Sequence, residues 1–248
     1  HVVLTAMGLF AGFLKIIYPP RCHICRAFLA DGKNSFAHFC EDCLNSLTKI
    51  TSPLCPVCGI PFESRVEEDH LCGECLEKRP YFDMLAAPYI YEGGIMDVIH
   101  QIKYSGKTYL AATLGGLLAP LARERIGDTK GMLMMPVPLH YRRLKERGFN
   151  QSLVLARAVA PLLDTRIDFL SLRRVRYTRP QTGLKRDERR SNVRGAFGLA
   201  EDTGLKGKTV ILVDDVTTTG NTLNECARVL KRAGCERVFC LALARAVW

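Results

Sequence analysis

The sequence predicts an α/β fold, a doubly wound and mostly parallel sheet, preceded by a cysteine-rich metal-binding module. Three observations predict it. From residue 81 onward, apolar β-branched runs alternate with helical patterns, the order that parallel sheets require. The run Val210-Ile211-Leu212-Val213 leads into Asp214-Asp215, then into Val216-Thr217-Thr218-Thr219-Gly220-Asn221-Thr222, a buried strand followed by carboxylates and a turn of small residues. Eight of the 11 cysteines stand as Cys-x-x-Cys pairs between residues 22 and 75. With 248 residues and 48% apolar content, the chain is long enough for one large domain or two smaller ones. The expected divisions are a helix over 1–20, the cysteine module over 21–80 and the α/β domain over 81–248.

The first element is amphipathic. Val3, Met7, Phe10, Leu14 and Ile17 recur at helical spacing, and Pro19-Pro20 ends the pattern. Its apolar run falls short of the roughly 20 residues a bilayer span needs. It also lacks the leading basic region of a targeting signal. A docked helix is expected, with peripheral membrane contact as the alternative use, and the chain is not read as an integral membrane protein.

The module repeats itself. Cys22-x2-Cys25-x14-Cys40-x2-Cys43 is followed by Cys55-x2-Cys58-x13-Cys72-x2-Cys75. Two thiolates two residues apart bind one metal from a single turn, and four close a tetrahedral site, so two structural Zn²⁺ ions are expected. Iron–sulfur ligation or a redox role are the alternatives. Spacing leaves open whether the pairs combine in sequence or interleave. His23, His38 and His70 are read as bystanders, and Glu67-Glu68-Asp69 as an exposed acidic loop. Cys226, Cys235 and Cys240 fall in apolar patterns and are read as core. Paired thiols beside a nucleotide-type domain indicate a reducing, cytoplasmic setting.

In the α/β domain, strands are expected over 83–91, 132–138, 167–172, the segment ending at Asp214-Asp215 and 237–245, the last closing the sheet. Helices are expected over 95–104, 109–125, 152–163 and 223–230, with Gly93-Gly94 breaking the first strand from the first helix. A loop over 139–151 follows the second strand. Ligands of such sheets sit beyond the carboxyl ends of strands, which puts the 139–148 and Asp214-Asp215 loops on one edge. A small-residue loop at a helix N-terminus gathers free N–H groups for an anion, and Gly220 lets the backbone close on it. Asp214 and Asp215 would repel a bare phosphate, and fit a ligand that also offers hydroxyls or a divalent cation. A ribose 5-phosphate unit has that combination.

Charge is unevenly spread. Residues 1–80 are nearly neutral, so the formal charge of +10 belongs to the α/β domain. Two stretches concentrate it. One is the 139–151 loop, where Arg142, Arg143, Lys145 and Arg147 follow Leu139-His140-Tyr141 and suit a pyrophosphate. The other is a basic excursion over 173–197 carrying Arg173, Arg174, Arg176, Arg179, Lys185, Arg186, Arg189 and Arg190, with Tyr177 as a stacking platform. It suits either a nucleic-acid backbone or a lid over a phosphorylated ligand.

The segment from Val210 to Thr222 resembles the 5-phosphoribosyl-1-pyrophosphate (PRPP) motif of type I phosphoribosyltransferases. That resemblance implies a ribose site at Asp214 and Asp215, and a 5′-phosphate site at Thr217, Thr218, Thr219, Gly220, Asn221 and Thr222. It also implies a pyrophosphate site at Leu139, His140, Tyr141, Arg142, Arg143 and Arg147, with Mg²⁺ accompanying PRPP. The whole chain resembles the ComF family of competence proteins. The Cys-x-x-Cys pairs, Arg147-Gly148-Phe149-Asn150-Gln151, Arg176-x-Thr178-x-x-Gln181-x-x-Leu184 and Arg189-x-x-Asn192-Val193-x-Gly195-Ala196-Phe197 carry it, together with the Asp214-Asp215 loop. This resemblance implies binding of PRPP and single-stranded DNA in natural transformation, alongside DNA-uptake proteins, on the cytoplasmic side of the membrane. An active phosphoribosyltransferase and a non-catalytic regulatory adaptor are the alternatives. No general base stands out, with His140 and Glu146 the nearest candidates.

Overall fold

The computed structural model describes residues 19–29, 38–63, 68–178 and 191–247. The helix expected over 1–20 lies outside them but for its two prolines, as do Arg179, Lys185, Arg186, Arg189 and Arg190. The described residues fall into two compact units, one ending at Leu47 and the other starting at Thr48.

The smaller unit holds the first four cysteines and a single helical turn, α1 (Glu41–Asn45), which carries Cys43 to the inside. Arg21 bridges to Phe28 across the first knuckle, with its guanidinium 4.1 Å from the ring centroid.

In the larger unit, the short α2 (Gly73–Glu77) presents Cys75 in the same manner. Then follow β1 (Met84–Ala86), β2 (Tyr89–Ile90), α3 (Gly93–Ser105), α4 (Leu110–Ile126), β3 (Leu133–Pro136), α5 (Tyr141–Arg147) and α6 (Gln151–Val159). A tight 3-10 turn, Ala160–Leu163, leads to β4 (Arg166–Ile167), β5 (Leu172–Arg174), β6 (Phe197–Leu199), β7 (Thr209–Thr217), α7 (Asn221–Arg232) and β8 (Arg237–Arg245). The main sheet runs β1-β8-β7-β3-β4, with β2 also on β8, and every pairing in it is parallel.

Several expected boundaries move, each for a local reason. The strand over 83–91 divides at Pro88, which has no N–H for the ladder and instead accepts from Ile50 N–H at 2.9 Å. Gly93 and Gly94 begin α3 instead of only breaking the strand. The strand over 167–172 does not form as one piece. Asp168 accepts from the N–H groups of Leu170 and Ser171 at 3.1 and 3.0 Å, turning the chain so that Leu172 enters an antiparallel hairpin, β5–β6. The loop over 139–151 contains α5, because His140 Nδ1 accepts from Arg142 N–H and Gly148 ends the helix on Leu144. β8 does not close the sheet; it lies between β1 and β7.

β7 reads as an unbroken apolar run because both its faces are covered. Val210, Ile211, Leu212 and Val213 are fully buried. Alternate residues Val210 and Leu212, with Val238 and Cys240 of β8, share one core with Leu223, Cys226, Ala227 and Leu230 of α7. Phe197 of the hairpin and Cys55, Val57 and Cys75 of the second cysteine cluster belong to that same core. Cys226, Cys235 and Cys240 are buried, as expected of core residues.

Candidate functional site

Two cysteine clusters form, and they pair in sequence: Cys22, Cys25, Cys40 and Cys43 in one, Cys55, Cys58, Cys72 and Cys75 in the other. Within each, the ligand atoms all lie within 4.8 Å of one another. Cys25 and Cys40 bring their Sγ atoms to 3.6 Å, and so do Cys58 and Cys72. A tetrahedral site with Zn–S bonds of about 2.3 Å has sulfur edges near 3.8 Å, whereas a disulfide needs about 2.05 Å. The spacing therefore fits a metal tetrathiolate.

Backbone donors prepare each cluster for its ion. Burial pushes the Cys22 thiol up, but N–H groups of Cys40, Cys25 and Ile24 outweigh it and bring its pKa to about 6. Cys55 falls to about 7 by the same balance, with donors from Cys58, Cys72 and Val57. Burial and the neighbouring thiols push Cys43 and Cys75 up, so each cluster needs a cation before all four thiols ionise. The histidines stay apart: His23 lies edge-on to His38, and His70 stacks on Phe62 at 4.1 Å. Asp69 does more than decorate a loop, since it accepts from Leu54 N–H at 2.9 Å.

At the carboxyl edge of the sheet, β7 continues through the acidic pair to Thr217, so Asp214 and Asp215 lie within the strand and not at its end. Neighbours hold both carboxylates. Ser152 Oγ donates to Asp214 Oδ1 at 2.8 Å, and Asp215 N–H donates to the same oxygen at 2.9 Å. Gln151 Nε2 donates to Asp215 Oδ1 at 3.3 Å, and Lys103 Nζ makes a contact ion pair with Asp215 Oδ2. A small, largely apolar crevice lined by Ile99, Ile102, Leu114, Leu155 and Leu243 adjoins that ion pair.

The environment splits the two acids. Burial and the charge of Asp215 push Asp214 up to about 7. Burial also opposes ionisation of Asp215, but the Lys103 ammonium overcomes it and holds that carboxyl below its usual range. Asp215 is therefore the charged member at neutral pH, and Asp214 holds its proton more readily.

Thr217 is buried at the end of β7, Thr218 and Thr219 form the turn, and Asn221 and Thr222 open α7. Gly220 takes φ +74° at the helix cap, with Leu85 Cδ2 only 3.4 Å from where a Cβ would stand. The hydroxyl of Thr219 is buried without a hydrogen-bond partner. A strand end, a left-handed glycine and an unpartnered buried hydroxyl leave this turn with unused donor capacity of the kind that suits an anion.

β3 lies beside β7, so the segment from Leu139 to Gly148 starts from the same edge. Asn150 Nδ2 donates to Val137 C=O at 3.1 Å and its Oδ1 caps α6 through Ser152 N–H at 3.0 Å. This cap sets Gln151 and Ser152 against the acidic pair. Arg147 is already engaged, donating to Gln151 Oε1 at 2.5 Å. Arg142 and Lys145 are exposed, and Arg143 is half-buried.

The basic helix and the basic excursion meet. Arg142 and Arg143 lie 5.5 and 6.0 Å from the centroid of the Tyr177 ring, and His140 lies edge-on to it at 5.3 Å. Tyr141 and Tyr177 remain exposed at 56% and 40%. Of the predicted nucleic-acid residues, Arg173 is exposed, with its Nε on Leu170 C=O. Arg174 is half-buried, stacked over Phe197 and hydrogen-bonded to Thr178. Arg176 clasps the carbonyls of Asn192 and Arg194 at 3.0 and 2.8 Å. His140 is buried and caps α5; burial, Arg142 and Arg174 hold it below its usual pKa.

Sequence patterns did not single out Lys103 or Ser152. Gln151 appeared only as the last letter of a motif. A lysine near a helix end reads as solvated, and its pairing with Asp215 is visible only in the fold.

A double zinc ribbon domain matches residues 13–76, and a phosphoribosyl transferase domain matches residues 150–246. The chain is thus a zinc-ribbon protein built onto a phosphoribosyltransferase-like domain. It is 34% identical to DNA utilization protein YhgH of Escherichia coli K12 over 90% of this chain and 96% of that protein. It is 32% identical to competence protein F of Haemophilus influenzae, over 91% of this chain and 97% of that protein. Competence protein ComFC of Bacillus subtilis is 28% identical over 79% of this chain and 78% of its own length. The chain belongs to the ComF family of competence proteins.

Proposed function

We propose that this protein acts in DNA uptake, binding PRPP at the carboxyl edge of the sheet and single-stranded DNA on the basic platform beside it. The names of its relatives, competence protein F and DNA utilization protein, support the cellular role. Asp215, Asp214 and their braces Gln151 and Ser152 suit the hydroxyls of a ribose. The turn from Thr217 to Thr222 suits its 5′-phosphate. The observation that carries this reading is the unpartnered, buried Thr219 hydroxyl beside a helix N-terminus and an acidic pair. Arg142 and Arg143 are the cations available to a pyrophosphate, since Arg147 is tied to Gln151. Mg²⁺ would accompany the pyrophosphate, and carboxylate oxygens are the hard donors it takes. Tyr141 and Tyr177, flanked by Arg142, Arg143 and Lys145, offer ring faces and charges to unpaired bases. No helix among the described residues is long and apolar enough to cross a membrane. The reading places the protein in the cytoplasm, where its thiols stay reduced.

The reading favours binding over transfer. His140, one candidate base, has its Nδ1 committed to the cap of α5, and Glu146 is exposed on that helix. Calorimetric titration with PRPP, with and without Mg²⁺ and then with single-stranded DNA added, tests the proposal. Saturable binding is expected, weakened by roughly 1.5–3 kcal/mol in Asp215→Asn through loss of charged hydrogen bonds. Equal affinity in a folded Asp214→Ala/Asp215→Ala double variant would refute the assignment.

A further inference from the structure

Arg245, the last residue of β8, is only 4% exposed. Its Nη1 donates to the carbonyl of Cys58 at 2.6 Å, and its Nε is buried with no hydrogen-bond partner. Among the described residues, no carboxylate forms a salt bridge with it. A guanidinium stays protonated in a protein, and an uncompensated buried charge is strongly destabilising. The balancing charge has to come from somewhere near.

The second cysteine cluster supplies it. Four thiolates around one Zn²⁺ carry a net charge of −2, and Arg245 is held on the backbone of one of the four ligands. We propose that Arg245 is the positioning cation of the second zinc site: it offsets the charge of the metal tetrathiolate and fixes the Cys55–Cys58 knuckle to the sheet. With the metal in place, the charge of the tetrathiolate would balance the buried guanidinium.

The surroundings fit a fixed joint. Arg245 pairs with Thr217 in the β7–β8 register, and its carbonyl accepts from Tyr91 N–H at 2.7 Å. Gly59, next to Cys58, packs so closely on β1 that a Cβ there would stand 2.5 Å from Leu85 O. Leu85 N–H in turn donates to Val57 C=O at 2.8 Å. The knuckle is thus held twice at its backbone, by Leu85 at Val57 and by Arg245 at Cys58. The first cluster, in the smaller unit, has its own surroundings and serves as an internal control.

The test follows zinc transfer from the full-length, zinc-loaded protein to a chromogenic chelator. Second-sphere partners of metal ligands are typically worth about 10–100-fold in affinity. In Arg245→Gln, one of the two zinc equivalents is expected to leave at least about tenfold faster, with the other unchanged. Arg245→Lys keeps the charge and a donor, and is expected to restore most of the slow release; it serves alone if the glutamine variant does not fold. In Co²⁺-substituted protein, the thiolate charge-transfer bands of one site should shift in the glutamine variant. Unchanged release of both equivalents in a folded Arg245→Gln protein would overturn the proposal. So would release from Arg245→Lys ten times faster than wild type, or equal acceleration at both sites.

Discussion

Asp214 and Asp215 are adjacent, yet they titrate apart, and the difference is measurable. Asp214 has a folded pKa near 7 against an ordinary value of 3.8. The folded state therefore binds this proton more tightly than the unfolded chain does, so its contribution to stability is full below about pH 4 and is lost as pH rises toward 7. Asp214→Asn removes that titration. The stability gap between the variant and wild type should widen from pH 4.5 to pH 8 in the variant's favour, then level off, by a few kcal/mol at most. Thermal melts at a series of pH values check this, and a gap that stays constant across the range would contradict it. The acidic pair and its turn were legible because a strand, two carboxylates and a Thr-Gly turn are contiguous in sequence. Lys103, which decides which acid is charged, lies 112 positions away from Asp215 and leaves no local mark.

At the scale of elements, the basic charge was legible while its arrangement was not. Residues 139–151 read as an open loop because His140 is an unusual cap, although Gly148 is an ordinary helix stop. Folding that stretch into α5 carries Arg142 and Arg143 to Tyr177, so two basic segments separated in sequence form one platform. Arg147, Arg174 and Arg176 are engaged elsewhere, with Gln151, with Thr178, and with the carbonyls of Asn192 and Arg194. Single-stranded DNA binding should therefore depend on Tyr177, Arg142 and Arg143 more than on Arg176. Tyr177→Ala is expected to weaken binding by roughly 1–3 kcal/mol, the worth of one stacked base. Arg142→Ala/Arg143→Ala should make the plot of log affinity against log salt shallower by about 0.7 for each phosphate that is no longer neutralised. Fluorescence anisotropy with a labelled oligonucleotide at several salt concentrations measures both. An unchanged slope in the double variant would move the DNA site elsewhere.

Across the whole molecule, the two ribbons look alike in sequence and differ in what they support. The repeat of Cys-x-x-Cys pairs revealed two metal sites, but spacing says nothing about which core each one joins. The first four cysteines belong to the smaller unit, whereas Cys55, Val57 and Cys75 share the core of the α/β domain with Leu85, Leu212 and Leu223. Leu85 touches that ribbon through its backbone and approaches Gly220 of the anion turn with its side chain. Zinc at the second site is therefore expected to stabilise the sheet edge that carries the acidic pair, and zinc at the first to act on its own unit. Binding of a structural zinc ion contributes roughly 10–16 kcal/mol in small domains, enough for either loss to be felt locally. Cys43→Ser should remove one zinc equivalent and leave the main unfolding transition within about 3 °C of wild type, less than about 1 kcal/mol for a unit of this size. Cys72→Ser should also remove one equivalent, but lower the main transition by far more and reduce PRPP affinity with it. Calorimetry and metal analysis on the two variants decide the matter: equal shifts would mean that both ribbons brace the α/β domain, and no shift in Cys72→Ser would mean that the second does not.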